Sequence, residues 1–173
     1  MNKKVLLAVL AVLALLIVPM SPAMAVTKAP CTFTITGITP VPGSAKIWTE
    51  GNVQHVMGQQ VRGTFTSDAL GIGTFEATFD RRVNLLTGEG TYTAWPTITI
   101  TAGGELGLGT GSISGIGEAK VTYIPPAPPV PALYPLQGSA VYTRGTDGFA
   151  GAMIRVDFWT IATGTAGAGT IAY

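Results

Sequence analysis

The sequence predicts an all-β protein, a single antiparallel β-barrel of about eight strands. Three observations carry that prediction. β-Branched and aromatic residues alternate with Thr and charged residues over most of the chain, the period-2 spacing of strands with one buried face. The 173 residues include 23 Gly, and Gly costs about 1 kcal/mol per helix position relative to Ala, which disfavours a helical bundle. Turn signals recur at short intervals between the candidate strands, as they do in barrels and sandwiches. The glycines favour the barrel, because closing a small sheet takes bends repeated around its circumference.

Residues 1–25 read as a helical signal peptide that precedes the folded domain. Lys3 and Lys4 form a short basic region, Val5 to Val18 is an unbroken apolar run, and Pro19 breaks the helix. Ala23-Met24-Ala25 fits the small-x-small pattern of a cleavage site. The run of 14 residues is short of the roughly 20 that span a bilayer core; the rival reading is an uncleaved N-terminal anchor. Cleavage leaves 148 residues, Val26 to Tyr173, with all the Gly, 24 Thr and a net charge of −1. That length suits one domain with a core that needs no disulfide. The expected location is secreted or on the cell-envelope exterior. The lone Cys31 has no partner within the chain, and it reads as a small hydrophobe near a strand start or, alternatively, as a reactive thiol or intermolecular link. Lys28-Ala29-Pro30 before it is no lipidation box.

Residues 26–52 are expected as an N-terminal extension with short strands. Thr32–Ile38 alternates β-branched and aromatic residues and stops at Pro40, and Ala45–Thr49 is a second short candidate. Residues 53–173 are expected as the barrel domain. Val61, Gly63 and Phe65 share one face of a strand. Phe75, Ala77 and Phe79 alternate with Thr74, Glu76, Thr78 and Asp80, the cleanest amphipathic pattern in the chain. Asn84–Gly90 supplies turn chemistry. Tyr92, Ala94, Ile98 and Ile100 then oppose Thr91, Thr93, Trp95, Thr97, Thr99 and Thr101, with Pro96 predicting an edge, bulge or split.

Residues 103–117 hold seven glycines. Leu106, Leu108, Ile113 and Ile116 make this glycine-rich stretch too apolar for a solvated linker, so it reads as two short strands with a tight bend. Ala119–Ile124 continues as strand. The segment 125–135 contains half of the 12 prolines and reads as a proline-rich, polyproline-like loop, a crossover or a lid, with Val130, Leu133 and Tyr134 packing on the body. Strand Gly138–Arg144 leads to a two-residue hairpin signal at Asp147-Gly148. The return strand puts Ala150, Ala152, Ile154, Val156 and Phe158 on one face and Met153, Arg155, Asp157 and Trp159 on the other. A Gly-spaced strand ends at Tyr173.

The string Gly145–Ala152 (GTDGFAGA) resembles the G-T-G-x-F-x-G-A hairpin of the allene oxide cyclase and dirigent-like barrel proteins. The NLLTGEG hairpin, the spaced G-x-G pairs and the all-β plan after a signal peptide are similar to secreted microbial relatives of that family. The likeness covers roughly Val53–Tyr173 and rests on turn glycines. Asp147 stands where the family often has Gly, and the proline-rich insert is a departure. The resemblance implies a calycin-like barrel of eight strands with an apolar cavity, in a family where some members cyclise small hydrophobic molecules or guide their coupling and many microbial ones have no assigned activity. No catalytic motif of the family matches residue by residue.

Searching the residues for chemistry returns mostly exclusions. One His and one Cys cannot build a four-ligand zinc site. Near-neutral charge gives no electrostatic footprint for nucleic acid. A catalytic triad would depend on His55 alone, and His55 reads as structural or as a surface residue on a strand. The match of Gly167–Ala172 to a dinucleotide fingerprint has no helix after it to receive a pyrophosphate. No cofactor is therefore expected. Glu76 and Asp80 share a polar face but stand roughly 13 Å apart along a strand. Arg155 and Asp157 are same-face neighbours on the last hairpin.

The candidate ligand-lining residues are the aromatics Tyr92, Trp95, Tyr142, Phe158 and Trp159, each of which also suits core filling. The expected function is that of an exported barrel that binds a small hydrophobic molecule or serves as a surface component. One alternative is an allene oxide cyclase-like or dirigent-like enzyme acting on a small hydrophobic substrate. A second is a small outer-membrane β-barrel, which is underequipped for the polar interior such barrels carry. The expected partner is that small molecule, with no nucleic acid; the residues leave the oligomeric state open. Membrane contact is expected only through an uncleaved signal or in the outer-membrane alternative.

Overall fold

A computed structural model describes residues 26–173; the expected signal peptide, 1–25, lies outside the described residues. Nine strands run in chain order: β1 Lys28–Pro40, β2 Lys46–Glu50, β3 Val53–Ser67, β4 Gly71–Asn84, β5 Glu89–Gly103, β6 Gly111–Thr122, β7 Leu136–Gly145, β8 Met153–Ile161 and β9 Gly164–Ala172. All pair antiparallel, in the order β1-β9-β8-β7-β6-β5-β4-β3-β2, and β1 pairs again with β3. That extra pairing closes an eight-stranded barrel from β1 and β3–β9. β2 stays outside the ring as a short flap on β3.

β1 corrects the expected boundary at residue 52. It runs beside β9 from Lys28↔Ala172 to Thr36↔Gly164 and beside β3 from Thr34↔Thr66 to Pro40↔Val61. Residues 28–40 are thus a stave of the barrel, and only β2 answers to an extension. The two strands share one edge of β3: β2 takes Val53–Met57 and β1 takes Val61–Thr66. The changeover falls at a bulge, where the β3–β4 register shifts between Val56 and Gln59. Gly58 adopts φ +71° there, a left-handed conformation that L side chains rarely hold. Its freed N–H donates to Asp80 Oδ1 at 2.8 Å. Asp80 therefore closes a bulge instead of standing free on a polar face.

The period-2 pattern decides which side chains fill the ring. Cys31, Phe33 and Ile35 enter from β1, Val61 and Phe65 from β3, Phe75 and Ala77 from β4, Ile98 and Ile100 from β5, Ala140 and Tyr142 from β7, and Ile154, Val156 and Phe158 from β8. Burial pushes the Cys31 thiol up from its ordinary pKa, the behaviour of a core hydrophobe rather than a reactive thiolate. β9 contributes little bulk. A Cβ on Gly167 would run into the Phe33 ring, so glycine there makes room for the aromatic.

One end of the barrel is plugged. Between β7 and β8 the chain makes a 3-10 turn, Asp147–Phe149. The connection therefore runs from Thr146 to Ala152, not through the two-residue hairpin that Asp147-Gly148 suggested. Its geometry sends Phe149 inward, where it is fully buried with Leu70, Ile113 and Ala152 in the core. The bend at 104–110 closes the same end, with Glu105 N–H donating to Asp68 O and Leu106 N–H to Ala69 O.

The other end carries the proline-rich arm. Ile124 and Leu133 bridge, as do Ala127 and Val130, so 124–133 folds back on itself as a narrow hairpin. Val130 and Leu133 are exposed, contrary to their expected packing on the body. Tyr134 alone of the three turns onto it. Pro96 does not split β5, yet the ladder to β6 lapses between Ala94↔Gly117 and Thr97↔Ser114, where Pro96 has no N–H to give.

The outer face carries Thr and charged side chains beside the exposed Ile72, Trp95, Ile116, Met153 and Trp159. Its one ion pair among the described residues joins Arg62 Nε to Glu76 Oε1 at 3.1 Å, both side chains more than half exposed. Such a pair contributes about 0–1 kcal/mol, so Glu76→Gln is expected to shift a urea midpoint by little, and high salt to have no larger effect on the wild type.

Candidate functional site

Between the plugged floor and the arm, the barrel encloses an apolar cavity of about 260 Å³. Phe33 and Ile35 of β1, Val61 of β3, Phe75 and Phe79 of β4, Ala94 and Pro96 of β5, and Ala140, Tyr142 and Phe158 of β7 and β8 form its walls. Small inward residues explain the space. Ala94, Gly117 and Ala140 are register neighbours on β5, β6 and β7, a strip of small residues that leaves one wall of the ring shallow. The cavity exists because three small inward residues fall in register on adjacent strands, which the composition alone does not reveal.

Three of the five candidate aromatics meet at this cavity: Tyr92, Tyr142 and Phe158. Trp95 and Trp159 do not. They are 47% and 42% exposed on the outer face, as the period-2 pattern demands: Trp95 alternates with Ala94 and Pro96, and Trp159 follows inward Phe158. Replacing either by Ser is expected to change stability by no more than about 0.5 kcal/mol, the range of ordinary surface substitutions. His55 lies on β3 stacked against Trp48 of β2, ring centroids 4.7 Å apart, away from the cavity.

The polar end of the cavity was missed in the sequence. Arg81 continues the inward stripe Phe75, Ala77, Phe79 on β4 and pairs in register with Tyr92 on β5. Its guanidinium carbon lies 3.5 Å from the centroid of the Tyr134 ring, brought down by the arm. Arg81 Nη2 donates to Gln54 Oε1 at 3.1 Å, and Tyr134 Oη donates to the same oxygen at 3.2 Å. Tyr123 packs behind Tyr134 at 5.4 Å, and Phe79 packs on Tyr92 at 4.9 Å. The signal was present: the alternation that ends at Phe79 extends one step further to Arg81.

The electrostatics follow from burial. Desolvation lowers the Arg81 pKa from its ordinary value, though far too little to discharge a guanidinium. Desolvation also raises the pKa of Tyr92 and Tyr142 well above the ordinary phenol value. Both phenols are neutral donors at any physiological pH. In the unfolded chain they ionise near pH 10. Above that pH the unfolded state releases protons that the folded state keeps, so stability falls as pH rises. Buried Tyr142 alone is expected to contribute a slope of roughly 1.4 kcal/mol per pH unit above pH 10. Urea melts at pH 9, 10 and 11 check it, and Tyr142→Phe should flatten the decline.

Among the described residues no three of His, Cys, Asp and Glu gather as a metal site, and no carboxylate lines the cavity. The site offers an apolar body, two phenol donors and one cation. Comparison with protein-family models, with curated protein sequences and with solved structures returned no match.

Proposed function

We propose that the protein is an exported barrel that holds a small hydrophobic molecule inside its ring. The observation that carries this reading is the apolar cavity of about 260 Å³, kept open by Ala94, Gly117 and Ala140 in an otherwise well-filled core. Protein interiors are packed to crystal density with few voids larger than a water. A cavity of that size with a few convergent polar groups is the usual form of a small-ligand site. Likeness to the allene oxide cyclase and dirigent-like barrels is part of the proposal. It is supported by the closed ring of eight strands and by the Gly145–Ala152 string, whose Phe149 seals the floor.

Two features weigh against the alternatives. A cyclase or coupling catalyst would have Arg81, Tyr92 and Tyr142 to polarise an oxygen, but no base among the lining residues to take a proton. An outer-membrane barrel presents an apolar band to lipid and a polar lumen; here the inward face is apolar, and the outward face of β3 and β4 carries Arg62, Thr64, Thr74 and Glu76.

Native mass spectrometry of the protein purified from its secreting host tests the reading. A co-purifying mass of a small hydrophobic molecule is expected. The variant Ala140→Phe, which fills the cavity, should be recovered folded and without that mass. Retention of the same molecule by the filled variant would place it elsewhere and end the proposal.

A further inference from the structure

We infer that the cavity selects a small amphiphile with a carboxylate head, its apolar body inside the ring and its carboxylate on Arg81. This inference rests on the binding reading above and names the ligand's chemistry. Four observations support it.

First, Arg81 stands on the cavity wall and is not neutralised: the one ion pair among the described residues is Arg62–Glu76, on the outer face. Arg81 is half-buried, and even a partly desolvated charge without a counter-charge is costly; an inert core would carry an aliphatic residue at this stripe position. Second, the guanidinium is held for use. Tyr134 stacks on its face and Gln54 takes one Nη2 proton, which fixes its plane and leaves the remaining donors of the fork for another acceptor. A guanidinium fork matches the two oxygens of a carboxylate in a bidentate pair.

Third, the phenols of Tyr92 and Tyr142 on the cavity wall can donate. Tyr92 and Tyr142 are kept neutral by burial, and no acid among the lining residues repels an anion. A cationic or purely hydrocarbon ligand would gain nothing from this set. Fourth, the volume limits the body. At about 30 Å³ per water in the liquid, the 260 Å³ cavity equals roughly nine waters. A medium-chain or single-ring monocarboxylate fits; a long-chain fatty acid would leave much of its tail outside. Tyr134, on the proline-rich arm, is the group that must shift or frame the head as the ligand enters.

Matched probes separate this inference from the reading beneath it. Octanoate, 1-octanol and octylammonium share one tail and differ in head charge. Titration calorimetry of the purified protein is expected to rank octanoate above octanol by about tenfold or more, from a charge-assisted pair, with octylammonium weakest. Arg81→Gln should bring octanoate down to the level of octanol on the same variant, whose fold is checked by its thermal melt. Arg81→Lys should keep part of the preference. Equal binding of octanoate and octanol to the wild type, or an octanoate preference that survives Arg81→Gln, overturns the inference while leaving the cavity reading intact. No binding of any probe inside the cavity overturns both.

Discussion

Deletion of Lys28–Pro40 is expected to abolish folding. β1 is the strand that turns a sheet into a ring, since it alone joins β9 to β3. Its loss opens both ladders and leaves β9 and the second half of β3 as unpaired edges, which template aggregation. It also removes Cys31, Phe33 and Ile35 from the core. Burial of Phe33 and Ile35 contributes about 1.5–3 kcal/mol each, against a total stability of about 5–15 kcal/mol for a domain. The ring would also expose the inward faces of its neighbours. Far-UV circular dichroism and size-exclusion chromatography should find an unfolded or aggregated chain. Substituting Ile47→Thr on the exposed outer flap β2 should leave both measurements unchanged. A soluble, cooperatively melting deletion variant would show that the ring does not depend on its first strand.

Phe149→Ala is expected to cost about 3–5 kcal/mol, the range for truncating a fully buried Phe. The 3-10 turn delivers this ring into the floor beside Gly111 and Gly145, with no exposed surface. The turn is held independently of the ring: Thr146 N–H donates to Ser112 O, and Phe149 N–H to Thr146 O. The loop therefore has little reason to collapse into the void, which places the cost at the upper part of the range. For about 150 residues each kcal/mol moves Tm by roughly 2–4 °C, so a fall on the order of 10 °C should appear in a thermal melt. Phe149→Leu should recover more than half of it. A loss below about 1 kcal/mol for the Ala variant would mean that the floor is sealed by other groups.

These two sites also mark where the sequence was legible and where it was not. Alternation placed the core stripes of β3, β4, β5 and β8 correctly, because one buried face forces period 2 and a slip of one residue would invert it. The same alternation put Trp95 and Trp159 outside, and only their size made them candidates for a cavity wall. The role of β1 was hidden: Thr32–Ile38 announces a strand, but nothing local says that its partners lie some 30 and 135 residues away. At Asp147-Gly148 the dipeptide signalled the tightest hairpin, yet the core needed an aromatic plug and the chain spent seven residues delivering it. Arg81 is not legible as a site residue, because Asp80, Arg81 and Arg82 look like a solvated charge run. In the barrel Asp80 closes the Gly58 bulge and Arg81 points into the cavity. The cavity itself depends on which small residues fall opposite one another around the ring, a closure property that a linear reading does not contain.

The central claim is that the ring holds a small apolar molecule within it. The most direct test is a two-dimensional NMR titration of the protein with 1-octanol. The account predicts saturable shifts of the methyls of Ile35, Ala94 and Ala140, with the indole signals of Trp95 and Trp159 unmoved. Shifts confined to the outer tryptophans, or no saturable shift at the cavity methyls, would contradict it.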